Sequence, residues 1–480
     1  MSISQSTVEQ LVKEMTARYG GSSQAAGAPA VTATVTSCVQ GDYGIFQDIN
    51  VAIDAAAAAQ KQLMNLTLQQ REKIIANMRK VALDNARHLA EMAHQETGYG
   101  HVEHKVLKNI LAAEKTPGIE DLIPRAFTGD YGFTLMENAP FGLLGAITPS
   151  TNPTATVINN SIGMVSAGNG VVFNPHPAAK KASCEAIKLM NRAIVEAGGP
   201  NNLLVAPETP TLDTGKVIMT HKLIRLLVVT GGEAVVKVAM NSGKKVIAAG
   251  PGNPPVIVDD TANIKKAAKD IVDGASFDNN VLCIAEKEII AFDNIADELL
   301  REMEAQGCYK ANKFEVEQII KTAITFDKEG KAAPNRKLVG RNASYILEQC
   351  GIKVNKEYKL IIADVPFDNL LVSTEMLMPV VPLTRVFSIE EAIDKAVTAE
   401  NGCHHTAMMH SENVNHLSAA AKALDTTIFV KNAPSYAGLG FDGEGYTTLT
   451  IATPTGEGLT SAKNFVRSRR CTMYGAFRIV

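Results

Sequence analysis

Several things are missing from this chain, and each absence excludes a class. No uninterrupted apolar run approaches the roughly 18 residues of a spanning helix, and Met1-Ser2-Ile3-Ser4-Gln5 lacks a basic segment followed by an apolar one. Neither a membrane span nor a secretory signal is expected. Charge of one sign is also lacking: 47 Lys and Arg stand against 50 Asp and Glu, a formal net charge of −3. Such a surface has no basic field to collect nucleic acid or anionic lipid. The seven cysteines (Cys38, Cys184, Cys283, Cys308, Cys350, Cys403, Cys471) are odd in number, scattered, and never arranged as C-x-x-C. That argues against a disulfide framework and a zinc site, and for a reducing compartment.

What is present suits an enzyme-sized globular chain, since 480 residues at 46% hydrophobic content can bury two or three cores. Residues Ser6 to Tyr19 read as a detached amphipathic helix, with Val8, Leu11, Val12, Met15 and Tyr19 on one face and Ser6 or Thr7 as cap. The Gly20-Gly21-Ser22-Ser23 run ends it and opens a small-residue linker. A short helix cannot bury its own stripe, so it either folds back on its domain or binds a partner groove. From Val51 to about Gln95 the spacing predicts long helices. Beyond Asp130, strand-like runs (Leu143–Ile147, Gly170–Phe173, Leu203–Val205, Leu226–Val229) alternate with helical ones such as Ala178 to Glu196. That alternation predicts βαβ units, a parallel sheet with helices on both faces, and a nucleotide site at the carboxyl ends of the strands. A second α/β unit follows Gly250, with strand Val256–Val258, Asp259 or Asp260 as cap, and helix Lys265 to Gly274. Strand Lys359–Ala363 and helix Ser388 to Ala399 come later, and Ile451 to Val480 reads as an arm.

Two glycine patterns compete for phosphate. Gly438-Leu439-Gly440-Phe441-Asp442-Gly443 fits G-x-G-x-x-G by letter, but Tyr446 to Ile451 after it reads as strand, whereas the mechanism needs a helix N-terminus. Leu226-Leu227-Val228-Val229-Thr230-Gly231-Gly232-Glu233 runs from strand through two glycines into a helix; a plain tight turn explains it equally well. The chemistry-bearing candidate is Cys283, set in Asp278-Asn279-Asn280-Val281-Leu282-Cys283-Ile284-Ala285-Glu286-Lys287 just before the strand-like Glu288 to Phe292. A lone thiol there is a nucleophile or simply packing.

Ordered blocks carry a resemblance from about Ile45 onward: Pro149-Ser150-Thr151-Asn152-Pro153, Asn174-Pro175-His176-Pro177, Thr230-Gly231-Gly232, Gly250-Pro251-Gly252-Asn253-Pro254-Pro255, Cys283 to Lys287, Glu375-Met376-Leu377-Met378-Pro379, His404-His405-Thr406-Ala407 and Pro454-Thr455-Gly456-Glu457-Gly458. Together they resemble the aldehyde dehydrogenase superfamily, specifically its CoA-acylating members of bacterial microcompartments. The resemblance implies an α/β fold in three parts: a doubly wound cofactor-binding domain (44–252, with hairpin 128–138 in an oligomerisation arm), a catalytic domain (253–435), and a return segment with C-terminal arm (436–480). It makes 1–19 a targeting helix for a shell protein and 20–43 a linker, in a homodimer or homotetramer inside a microcompartment of the bacterial cytoplasm.

By the same resemblance Cys283 attacks the aldehyde, Asn152 or Thr151 donates to the oxyanion, and Glu375 orients the nicotinamide ribose. Thr230, Gly231 and Gly232 line the NAD site, with Pro175 and His176 near the adenosine. His405 assists the CoA thiol, although a histidine in a His-His pair is otherwise a surface or capping residue. One departure decides the product: hydrolytic relatives carry Glu-Leu-Gly-Gly, their glutamate activating water, where this chain has Ala248-Ala249-Gly250-Pro251. With no base there, the acyl group is expected to pass to coenzyme A. A non-acylating dehydrogenase and a catalytically silent structural relative are the rival readings; the missing base opposes the first and the retained Cys283 motif the second.

Overall fold

A computed structural model describes residues 43–327 and 330–480. The targeting helix expected at 1–19, and the linker that follows it up to residue 42, lie outside the described residues. After the short strand Ile45–Phe46 come four helices, Ile49–Met64, Leu68–Asp84, Ala86–Thr97 and Val102–Lys115. Their ends follow local chemistry. Asp48 and Thr67 cap the first two by accepting from the N–H groups of Asn50 and Gln70, and Gly98, at φ 67°, closes the third.

The first sheet has six parallel strands in the order Ile45–Phe46, Leu204–Pro207, Gly170–Pro175, Leu143–Thr148, Ile224–Thr230, Lys245–Ala249. Strands Leu143–Thr148 and Gly170–Pro175 are buried along their whole length, the mark of a sheet covered on both faces. The chain winds outward from Leu143–Thr148 in one direction, then crosses to Ile224–Thr230 on the other side. Those two neighbours therefore flank the topological switch point, where a crevice opens at the carboxyl edge.

The second sheet has seven parallel strands: Cys308–Ala311, Leu360–Asp364, Val380–Val386, Glu288–Phe292, Pro255–Val258, Thr406–His410, Ile428–Lys431. Its four middle strands begin just after Glu375–Pro379, Cys283–Lys287, Gly250–Pro254 and His404–His405. Strand order thus gathers four sequence-distant blocks at one amino edge. A separate three-stranded antiparallel sheet joins Arg125–Gly129, Gly132–Pro140 and the C-terminal Val466–Tyr474, paired from Val466↔Pro140 to Tyr474↔Gly132.

Two local expectations need correction. Helix Ile264–Ser276 is capped by Asn263, which accepts from the Lys266 N–H. Asp259 is instead fully buried and occupied by the Thr261 hydroxyl, the Ser411 hydroxyl at 2.5 Å and His416 Nδ1 at 2.8 Å. The Tyr446–Ile451 stretch is not a strand either; only Ile451–Ala452 pairs, and side chains hold the rest, Asn159 Oδ1 accepting from Leu449 N–H at 3.0 Å. Threonine-rich sequence reads as strand because β-branching favours it, but here the hydroxyls satisfy the backbone.

Candidate active site

The glycine patterns part company in the structure. In Gly438–Gly443 the carbonyls of Gly440 and Gly443 accept from Lys115 Nζ at 2.5 and 2.8 Å, and a Cβ on Gly438 would strike Ile428 Cγ2 at 2.4 Å. Those glycines serve packing and a lysine clamp, with carbonyls rather than N–H groups turned to the charge. Thr230, by contrast, ends its strand at the switch point, and Gly231 leads to Gly232, the N-cap of helix Glu233–Met240. Gly232 is exposed, and a Cβ there would meet nothing. Pro175 ends the strand two across, buried, while the exposed His176 follows and caps a short turn through Nδ1. Thr151 and Asn152 follow Leu143–Thr148. Thr151, Asn152, Pro175, His176, Thr230, Gly231 and Gly232 thus share one carboxyl edge.

Cys283 belongs to the other edge, and its approach is unusual. Asp278, Asn279 and Asn280 run left-handed in succession, at φ 49°, 53° and 63°. Asp and Asn tolerate that region because their short polar side chains bond locally. All three side chains are buried and engaged. Asn279 Nδ2 donates to Gly340 O and Asn342 Oδ1, and Asn280 Nδ2 to Ala275 O and Glu286 O. Lys287 Nζ then clamps the turn, donating to Asn280 O at 2.9 Å, Asn280 Oδ1 at 2.5 Å and Leu282 O at 3.2 Å. Cys283 emerges half-buried.

Two lysines of helix Val102–Lys115 reach across to this turn. Asp278 accepts from Lys105 Nζ at 2.9 Å, from Lys108 Nζ, and from the His101 N–H at 2.8 Å. Lys108 Nζ also donates to Asn152 Oδ1 at 2.5 Å. Burial would raise the Asp278 carboxyl, but Lys108 and Lys105 outweigh it and hold it well below the carboxylate range. Burial draws the Lys108 ammonium down to about 8, with Asp278 resisting. Burial pushes the Cys283 thiol up to about 12 and Glu375 adds to that, while Lys287 and Lys108 pull the other way. Cys283 therefore rests protonated.

Glu375, half-buried, takes a hydrogen bond from the Gly252 N–H. His405 is fully buried beside Gly252: a Cβ on Gly252 would lie 2.9 Å from His405 Cγ and 3.0 Å from Cys283 O, so both flank one point. Nδ1 of His405 lies 2.9 Å from Thr406 Oγ1, the His405 backbone N–H donates to Glu400 Oε1, and Nε2 has no partner. Burial, helped by Lys287, lowers its pKa to about 4, so the ring is neutral near pH 7. Ala248 is buried, and its N–H donates to Thr455 Oγ1 at 3.0 Å.

Sequence reasoning missed the partners of Cys283. Lys105, Lys108, Asn109, Ala112 and Thr116 lie at helical spacing on the buried side. The i, i+3 lysine pair was visible, but a polar stripe on a helix ordinarily faces water. Lys287 was quoted only as a flank. Glu288, with both carboxylate oxygens unpartnered, and Glu400 were likewise unremarked; burial holds Glu288 well above the usual carboxylate range.

Residues 24–445 match the model of the aldehyde dehydrogenase family. The chain belongs to that family. It is 49% identical over 487 residues to an acetaldehyde dehydrogenase (acetylating) of Bilophila wadsworthia, covering 100% of both chains. Its fold is similar to a propionaldehyde dehydrogenase from the fucose utilisation bacterial microcompartment of Clostridium phytofermentans (TM-score 0.89, 49% identity, 91% of this chain and 100% of that one). It is similar also to a Rhodopseudomonas palustris propionaldehyde dehydrogenase with bound CoA and an acylated cysteine (TM-score 0.88, 48% identity, 92% and 100%). As an aldehyde dehydrogenase, the chain has the α/β architecture of that family.

Proposed function

We propose that this chain oxidises a short-chain aldehyde, acetaldehyde or propionaldehyde, with NAD and coenzyme A to acyl-CoA, through a thioacyl intermediate on Cys283. The observation that carries the reading is the pairing of Cys283 with Ala248. Cys283 is a free, half-buried thiol after the turn that Lys108 links to Asn152, and the place of a water-activating carboxylate holds a buried methyl whose N–H is spent on Thr455.

The residues fit their ligands. Exposed Gly232 at a helix N-cap leaves room and free N–H groups for a dinucleotide at the switch point, and Thr230 and Gly231 lead into it. Pro175 and His176, two strands across, suit the adenosine end. Glu375, held by Gly252, faces the Cys283 region and would orient the nicotinamide ribose. The nicotinamide cofactor supplies the hydride acceptor.

Cys283 gives its thiol proton to solvent as Sγ bonds to the carbonyl carbon, and the π pair moves to oxygen, where the Cys283 N–H and Asn152 Nδ2 receive it. Asn152 rather than Thr151 is the donor, because Nδ2 has only a long 3.4 Å contact to Thr151 Oγ1 and is otherwise uncommitted. Losing such a donor costs about 3–4 kcal/mol of transition-state stabilisation. After hydride departs, a CoA thiolate attacks the thioester and Cys283 leaves as thiolate. His405, neutral with Nε2 unpartnered, is the base suited to take the CoA proton.

Initial rates with C2 to C4 aldehydes, with and without CoA, test the reading. Acyl-CoA formed in step with NADH is expected; full-rate turnover without CoA, releasing carboxylate, would overturn it. We further infer that residues 1–19 address the enzyme to a microcompartment shell protein, in a bacterial cytoplasm. Fusing residues 1–20 to a fluorescent protein in shell-producing cells tests this, with diffuse fluorescence counting against it. Exposed Phe127, Tyr131, Met473 and Tyr474 on the three-stranded arm suit a second copy of the chain, as a homodimer or homotetramer.

A further inference from the structure

Two buried lysines converge on one buried carboxylate, and the charge does not cancel. Asp278 balances one ammonium; Lys105 already supplies it, donating at 2.9 Å from a side chain that is 3% exposed. A second buried cation is expensive to hold unless another group repays its desolvation. Lys108 makes one further contact, to Asn152 Oδ1 at 2.5 Å. That contact has a chemical consequence. An ammonium has three donors and no acceptor, so it can face only the oxygen of an amide. With Oδ1 committed to Lys108, Nδ2 must point the other way.

We propose that Lys108 is a positioning residue for the reaction, fixing Asn152 with its N–H donor toward the reacting carbonyl and leaving a buried positive charge that the oxyanion on the Cys283 adduct satisfies. The proposal rests on the aldehyde-oxidising role of Cys283 and adds a residue to it. In the resting site Asp278 has more positive charge around it than it can neutralise. When the Cys283 proton has passed to solvent, the C–S bond forms and the carbonyl pair moves onto oxygen, the new anion completes the balance, so the stabilisation is larger in the transition state than before it. The bias that Lys108 exerts on the Cys283 thiol, toward thiolate, has the same sign.

The test compares Lys108→Met, Lys105→Met, Asn152→Ala, Asn152→Asp and Lys108→Met/Asn152→Ala in the full-length enzyme. Three readouts are used: kcat and KM for NADH formation from aldehyde, the rate of Cys283 alkylation by iodoacetamide at fixed pH, and thermal unfolding. Asn152→Ala is expected to lower kcat about 10²- to 10³-fold, and Lys108→Met about 10²-fold, each with little change in KM. The double variant is expected to fall within a few-fold of Asn152→Ala, because a positioning residue loses its effect once its target is gone. Lys105→Met should lose stability but far less kcat. Lys108→Met should also slow alkylation. If Lys108→Met does not fold, Lys108→Gln and Asn152→Asp carry the test. The first keeps a donor to Oδ1 without the charge, and the second keeps the Lys108 contact but deletes the N–H.

Losses that multiply in the double variant, or a folded Lys108→Met enzyme within threefold of wild type, would overturn the proposal. NADH formation precedes acyl transfer, so these readouts are blind to whether CoA or water takes the acyl group. Failure of the CoA requirement is seen separately, in the wild-type product. Should wild type oxidise no aldehyde at all, the alkylation rates still decide whether Lys108 acts on Cys283.

Discussion

Gly252→Ala isolates the geometry that holds Cys283 against His405. The glycine is not left-handed, so an alanine carries no backbone strain there, and its effect is steric. Its Cβ would stand 2.9 Å from His405 Cγ, 3.0 Å from Cys283 O and 3.1 Å from His405 Cβ. Carbon contacts settle near 3.5–4.0 Å, so something must yield by about half an ångström or more. Neither neighbour is free to do so. His405 is wholly buried and bonded to Thr406 and Glu400, and Lys287 clamps the turn before Cys283. Overpacking of this kind costs about 1–3 kcal/mol, a melting shift of a few degrees in a chain this size. If the Cys283 backbone is what moves, a misplacement near 1 Å lowers the rate about 10²-fold. Scanning calorimetry and initial rates of NADH and acyl-CoA formation measure both. A Gly252→Ala enzyme with wild-type melting temperature and rate would refute the reasoning.

Other consequences can be measured directly. Glu375 holds the Cys283 thiol up after burial does, so Glu375→Gln should lower it and speed iodoacetamide alkylation at pH 8 a few-fold, while raising KM for NAD. An unchanged or slower alkylation would contradict this. His410, buried at the end of strand Thr406–His410, has its pKa lowered to about 4 by burial, with Lys266 adding. The unfolded chain takes its proton near 6.5, so the contribution to stability is complete above pH 6.5 and is lost as pH falls toward 4, at up to about 1.4 kcal/mol per pH unit. Urea unfolding of His410→Leu at pH 5 and 7 should show a shallower dependence than wild type; equal slopes would exclude the assignment.

Much of the fold was legible because its strands are buried on both faces and bounded by glycines and helices. The run Glu288 to Phe292 is a strand at those limits, and Leu143 to Ile147 and Leu226 to Val229 extend by only a residue or two. Strand order was not legible, and strand order is what brings Glu375, Cys283, Gly252 and His405 to one edge. The Asp278–Asn280 turn gave a faint signal, since a run of Asp and Asn permits left-handed backbone without requiring it. The inward lysines gave none. Lys105 and Lys108 read as a solvated face, and only the Asp278 carboxylate, 170 residues or more away in sequence, reverses that. The cap at Asp259 failed for a related reason: a serine after strand Thr406–His410 and a histidine of helix Val414–Leu424 claimed the carboxylate first.

In the proposed reaction the carbonyl is handled by neither sheet alone: Asn152, the amide proposed to receive its oxygen, hangs from the end of one, and Cys283, the proposed nucleophile, from the start of the other. A lysine on a third element, the helix Val102–Lys115, ties the two across that seam through Asn152 and Asp278. Substitutions far from Cys283 that slide one sheet past the other by a fraction of an ångström would therefore blunt turnover while leaving each sheet intact. Engineering this enzyme for new aldehydes would do well to leave that helix, and whatever braces it, untouched.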